Sequence, residues 1–148
     1  MHYSESKLAT LLKEQGHPVT FVPKPERKHR KNEESAMQRR LINWWSVAHM
    51  AFHVPEHLLL SIPNGGRRDA ITGAMLKNEG ARKGACDLLL LQKRWTWGAL
   101  LIEMKTPVGR VSPEQVAFMG DTLKAGYYVQ LCRSYEEATQ VITEYLNQ

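Results

Sequence analysis

Cysteine is nearly absent from this 148-residue chain: Cys86 and Cys132 are the only two. They are far apart and lie in no metal-type spacing with histidine. This argues against a disulfide scaffold or a zinc knuckle and favours two ordinary reduced, buried thiols over a disulfide between them. Long apolar runs are missing too. None approaches the roughly 20 residues that a membrane helix needs. The opening Met1-His2-Tyr3-Ser4-Glu5 lacks a basic stretch followed by an apolar one, so no secretion signal is expected. No internal repeat or low-complexity tract is present. With 43% hydrophobic and 24% charged residues, the composition is that of a folded globular domain rather than a disordered chain. A chain of this length can bury a core without staples.

Acidic residues are outnumbered. Lys plus Arg total 20 against 15 Asp plus Glu, giving a net charge of +5. The surplus is clustered: Lys24, Arg27, Lys28, Arg30 and Lys31 form one group, and Arg67, Arg68, Lys77, Arg82 and Lys83 another. Such clusters can neutralise backbone phosphates, although a solvated surface is an equal reading of charge alone.

The spacing predicts a short helix over residues 4 to 15, stopped by Gly16 and Pro18. A proline-containing basic arm follows over residues 17 to 31. The chain therefore divides into an N-terminal helix and arm, 1–31, and a core domain, 32–148. Residues 33 to 50 read as a helix with Asn32 as N-cap, Glu33 and Glu34 in its first turn, and Met37, Leu41, Trp44, Trp45 and Ala48 on its apolar face. His57 to Ile62 reads as a strand ending in the turn Pro63-Asn64-Gly65-Gly66, and 69 to 79 as a helix closed by Gly80. Asp87-Leu91 and Ala99-Glu103 are apolar runs suited to central strands joined in a hairpin. Ser112-Pro113-Glu114-Gln115 carries a capping box, and Gly126 ends the helix it opens. A strand over Tyr127 to Cys132 precedes a last helix capped by Ser134, with the stripe Ala138, Val141, Ile142, Tyr145 and Leu146. The order is helix, strand, helix, strand, strand, helix, strand, helix. It predicts an α/β fold: a mixed central sheet flanked by helices on both faces.

Charge sits at one end of each of the two apolar strands: Asp87 heads the first and Glu103 closes the second, sixteen positions on. Glu103 and Lys105 share one face, about 7 Å apart along the strand. If the strands pair, two carboxylates and an ammonium meet at one sheet edge. Hard oxygen donors of this kind suit Mg²⁺ or Mn²⁺, held by Asp87, Glu103 and the backbone carbonyl of Met104. Such an ion polarises a phosphodiester and acidifies a water. Lys105 then holds that water or offsets transition-state charge. A Glu-x-Lys alone is common and otherwise reads as a surface ion pair.

These residues resemble a known family. Ile62-Pro63-Asn64-Gly65-Gly66-Arg67-Arg68, Leu76-Lys77-Asn78-Glu79-Gly80, Gly84-Ala85-Cys86-Asp87, Ile102-Glu103-Met104-Lys105, Ser112-Pro113-Glu114-Gln115 and Gly126-Tyr127, in that order, resemble the virus-type replication-repair nuclease (VRR-NUC) domain of the PD-(D/E)xK superfamily. The resemblance spans roughly residues 33 to 146. It implies a restriction-endonuclease-like core and metal-dependent endonuclease cleavage of branched DNA such as four-way (Holliday) junctions, leaving 5′-phosphate and 3′-hydroxyl ends. It also implies a homodimer of the stand-alone phage or bacterial type, acting in DNA repair or recombination in the cytoplasm of a bacterial host or phage-infected cell. Carried over by position, Asp87, Glu103 and Lys105 are catalytic. Glu34 completes the metal shell, with Glu33 as the rival position. Gln115 orients water or phosphate, with helix capping as its other reading. Asn64, Arg67, Arg68, Lys77, Arg82 and Lys83 face DNA. The family's usual proline before the Asp is Cys86 here, which removes no ligand. A sequence-specific restriction-type nuclease and a non-catalytic DNA-binding module are the alternative expectations.

Overall fold

The computed structural model describes residues 30–63 and 70–148, with the side chains of 30–32 and 70 left aside. The expected helix over 4–15, the arm up to residue 29 and the turn carrying Asn64, Arg67 and Arg68 lie outside the described residues. Eight main elements follow in chain order: α1 (Arg30–Ala48), β1 (Leu59–Ser61), α2 (Ala70–Asn78), β2 (Leu88–Leu90), β3 (Leu100–Met104), α3 (Pro113–Lys124), β4 (Tyr128–Cys132) and α4 (Tyr135–Leu146). The order and type of every one match the pattern read from the sequence.

The ends differ. α1 starts at Arg30 and runs through Asn32, so Asn32 is not its N-cap and Glu34 lies beyond the first turn. Adding a turn of polar residues to a helix changes the free energy by only tenths of a kcal/mol per residue, so spacing fixes such an end poorly. α1 stops at Ala48, and tight turns over residues 49–53 reverse the chain, with His53 at φ 54°. A 3-10 turn, Glu56–Leu58, takes the first part of the expected His57–Ile62 strand. β2 contains neither Asp87 nor Leu91.

The sheet has the order β1-β2-β3-β4. β1–β2 and β2–β3 are antiparallel, and β3–β4 is parallel with α3 as the crossover. β3 is therefore central, and all five of its residues are buried. Its side chains alternate between two cores. Leu100, Ile102 and Met104 join Leu88 and Leu90 beneath α1 and α4, where Leu41, Trp45, Ile142 and Tyr145 pack. Leu101 joins Cys86, Val116, Met119, Leu123 and Val129 beneath α3. The two large aromatic side chains with polar atoms in the first core are satisfied: Trp45 Nε1 donates to Glu56 O at 2.8 Å and Tyr145 Oη to Gln92 O at 2.6 Å. The parity that puts Leu101 under α3 also puts Glu103 and Lys105 on that side.

The caps read at Ser112 and Ser134 are present. Ser112 accepts from the Gln115 N–H while Gln115 Oε1 accepts from the Ser112 N–H at 2.9 Å. Ser134 accepts from the Glu137 N–H at 3.0 Å, but the Glu137 carboxylate reaches back to the Arg133 N–H rather than to Ser134.

Candidate active site

Leu88 pairs with Ile102 across the antiparallel ladder. One further step places Asp87 opposite Glu103, at the rim where both strands end. Asp87 is pinned there: its Oδ2 accepts from the Met104 N–H at 2.9 Å, and its own carbonyl accepts from the Ile62 N–H at 2.8 Å. The contact shown by Met104 thus runs through its N–H.

Glu103 is fully buried. Its Oε1 accepts from Lys105 Nζ at 2.8 Å and from Gln115 Nε2. Its Oε2 is buried with no hydrogen-bond partner. Burial, and then the charge of Asp87, push the Glu103 carboxyl up to about 7, with Lys105 pulling against them and Glu34 adding to the rise. Burial also raises Asp87, opposed by the Met104 N–H and by Lys105. For Lys105, burial lowers the ammonium, but its hydrogen bond to Glu103 and the charges of Glu103, Glu34 and Asp87 together win and raise it. The rim is a mutually dependent cluster of three carboxylates and one cation.

Glu34 enters from α1. Its Oε1 lies 3.4 Å from the Thr106 N–H, a long contact, while Glu33 is exposed. Of the two rival positions, Glu34 is the one that faces the rim. Gln115 fills its capping role, its oxygen closing the cap of α3, and its amide nitrogen makes a contact the sequence did not predict, to Glu103. Asp87, Glu103, Lys105, Gln115 and Glu34 are therefore brought together from four separate stretches of chain.

Lys77, Arg82 and Lys83 line an open cavity of about 580 Å³ at the end of α2. Two of them are engaged: Arg82 Nη1 lies 3.3 Å from Lys77 O, and Lys83 Nζ pairs with Glu114 at 2.5 Å. That pair is largely exposed, so phosphate can displace it at little cost.

Three residues at the rim went unread in the sequence. Thr106 is buried, and its hydroxyl has no partner. A side chain added at Gly109 would meet Thr106 Oγ1 at 3.0 Å, Glu34 Oε1 at 3.3 Å and Lys105 Cδ at 3.3 Å. Arg133 reaches the same turn from β4. The Pro107–Gly109 pair was a readable turn signal, whereas a lone Arg after a strand carries none.

Among the described residues, no three His, Cys, Asp or Glu side chains form a ready metal cage. The donors nevertheless fit a hard dication. A buried carboxylate oxygen without a partner is costly unless something is supplied to it, and Glu103 Oε2 is such an atom beside two further carboxylates.

A mixed α/β sheet with carboxylates and a lysine at one rim defines a nuclease-type domain. The chain belongs to the VRR-NUC domain family: residues 24–136 match that family's model. A solved structure described as a VRR-NUC domain protein shares the fold, with a TM-score of 0.66 and 21% identity over 77% of this chain and 88% of that one. No curated protein matches the chain. DNA is the partner that a nuclease domain implies, and no helix among the described residues is long and apolar enough to cross a membrane.

Proposed function

We propose that this chain is a dication-dependent DNA endonuclease that hydrolyses phosphodiester bonds in branched DNA, four-way junctions above all. The observation that carries the reading is Glu103 Oε2, a buried carboxylate oxygen without a partner, in a carboxyl group whose other oxygen is bound to Lys105 and Gln115. Asp87, Glu103 and Glu34, with the Met104 backbone carbonyl, would hold Mg²⁺ or Mn²⁺ through hard oxygen donors alone. When bound, the dication supplies Lewis acidity toward the phosphodiester and an acidified water.

The chain's own residues do the rest. Lys105, held by Glu103, offers its ammonium to the attacking water or to the charge that builds on the phosphate oxygens. Gln115 fixes the Glu103 carboxyl group so that its second oxygen stays directed away from the helix cap. Lys77, Arg82 and Lys83, with Arg67 and Arg68, supply the phosphate-neutralising surface, and Asn64 an uncharged contact to DNA. The protein works as a homodimer in the cytoplasm of a bacterial host or phage-infected cell, so that two rims can serve symmetry-related strands of a junction.

The test is a panel of end-labelled four-way junctions, flaps, forks and linear duplexes, digested in Mg²⁺, in Mn²⁺ and in chelator. The wild type is expected to cut branched forms preferentially and only with a dication. Lys105→Ala should bind the same DNA and cut it about 10² to 10³-fold more slowly. Undiminished cutting by that variant, or no cutting of any DNA by the wild type, overturns the reading.

A further inference from the structure

We propose that Arg133 is a positioning residue for this site, acting through the turn that follows Lys105. The proposal rests on the nuclease reading above. Arg133 Nη1 donates to Thr106 O at 3.0 Å and Gly109 O at 2.9 Å, with Pro107 O at 3.4 Å. The same turn is closed by the Gly109 N–H on Thr106 O at 2.9 Å. One guanidinium therefore gathers the carbonyls of a turn that is otherwise held by a single backbone bond. Charge-assisted bonds of this kind are stronger than neutral ones and set backbone position. Among the described residues Arg133 has no carboxylate within ion-pair reach, so its charge is spent on these carbonyls.

What the turn holds is the rim. The Thr106 N–H faces Glu34 Oε1, and Gly109 lies close enough to Glu34 Oε1 and Lys105 Cδ that even a methyl group would crowd both. Arg133 is itself fixed. The preceding residue, Cys132, accepts the Lys105 N–H at 2.9 Å, and the Glu137 carboxylate takes the Arg133 N–H. A continuous path thus runs from the first turn of α4, through Arg133, to Glu34 and Lys105. Arg133 touches neither carboxylate of the strand rim, so its effect is on where Glu34 and Lys105 stand.

The test uses the full chain with Arg133→Met, which keeps the stem and removes the donors, and Arg133→Lys, which restores a cation. On the branched DNA that the wild type cuts, Arg133→Met should lower kcat about 10 to 10²-fold, since small misplacements of catalytic groups have effects of that size. KM and metal-free DNA affinity should stay within about twofold. Arg133→Lys should regain most of the loss. Combined with Glu34→Gln, the loss should not exceed the larger single loss, because both changes disable one unit. Should Arg133→Met fail to fold, Gly109→Ala perturbs the same turn from inside and should give the same loss confined to kcat. An unchanged kcat in the folded variant, a KM that rises with weakened DNA binding, or losses that multiply with Glu34→Gln overturn the proposal. These outcomes are separate from failure of the nuclease reading, in which the wild type itself cuts nothing.

Discussion

Gln115 and Glu103 are joined by a side-chain hydrogen bond that ties the first turn of α3 to the central strand. The same glutamine closes the capping box with Ser112. A stability device and a site contact are therefore one residue, and two substitutions separate them. Ser112→Ala removes the hydroxyl that accepts from the Gln115 N–H but leaves the Ser112 N–H to hold Gln115 Oε1. It should cost about 1 kcal/mol and leave cleavage within a few-fold of wild type. Gln115→Ala removes both contacts. It should cost at least as much stability and slow cleavage by about tenfold or more. Thermal melts and single-turnover rates on the same samples check this. Equal rates for the two variants would show that the Glu103 contact does nothing for the reaction.

Glu33 and Glu34 are adjacent and chemically alike, so exchanging each for glutamine isolates placement. Glu33 is exposed, while Glu34 approaches the Thr106–Gly109 turn. Glu33→Gln should change the rate by no more than about twofold, as an exposed substitution does. Glu34→Gln should weaken dication-dependent cleavage and dication affinity by about 10 to 10²-fold. Titrating Mg²⁺ against rate and calorimetric binding decides between them. A larger effect at Glu33 would move the assignment by one position.

Much of this architecture was legible because it is local. The capping box at Ser112, the stripe of α4 and the two apolar strands each repeat at a period that spacing reveals. Parity along β3 predicted the shared face of Glu103 and Lys105, and the short hairpin predicted the approach of Asp87. What spacing could not reveal is non-local. Gln115 was readable as a cap, but its bond to Glu103 depends on how α3 lies over the sheet. Arg133 has no pattern around it, and its three carbonyl acceptors exist only once the turn has taken its path. The start of α1 was misplaced at Asn32 because a cap-forming residue also tolerates the interior of a first turn.

Gly84 and Gly80 both sit at positive φ, +92° and +101°, yet their surroundings differ. A methyl group at Gly84 would lie 2.5 Å from the carbonyl carbon and oxygen of Glu114 and 2.9 Å from the Gln115 N, all backbone atoms. At Gly80 nothing lies within 4 Å. Gly80→Ala should therefore cost only the left-handed strain, about 1 kcal/mol. Gly84→Ala adds overpacking, for roughly 3 kcal/mol in all, and pushes the N-terminus of α3 that carries Gln115. It should also slow cleavage in whatever fraction remains folded. Melting temperatures of the two variants check the difference, and equal values would mean that Gly84 is not a packing constraint.

The electrostatics of the rim make a prediction about pH that needs no substrate. Burial, with the charge of Asp87, raises Glu103 from 4.5 to about 7. Between those values the folded protein holds a proton that the unfolded chain has released. A folded state that binds more protons loses stability as pH rises through that window. Asp87, also raised by burial, acts in the same direction. Below the window both states are protonated and the effect vanishes. In chelator, the wild type should therefore melt roughly 5 °C lower at pH 8 than at pH 5 through these groups, and Glu103→Gln, uncharged throughout, should flatten much of that slope. Mg²⁺ binds the ionised carboxylates of the folded state, so adding it should raise the melting temperature at pH 8 by mass action and much less at pH 5. If Glu103→Gln keeps the full wild-type slope, or if Mg²⁺ stabilises equally at both pH values, the buried carboxylate is not the group that the dication and the proton compete for.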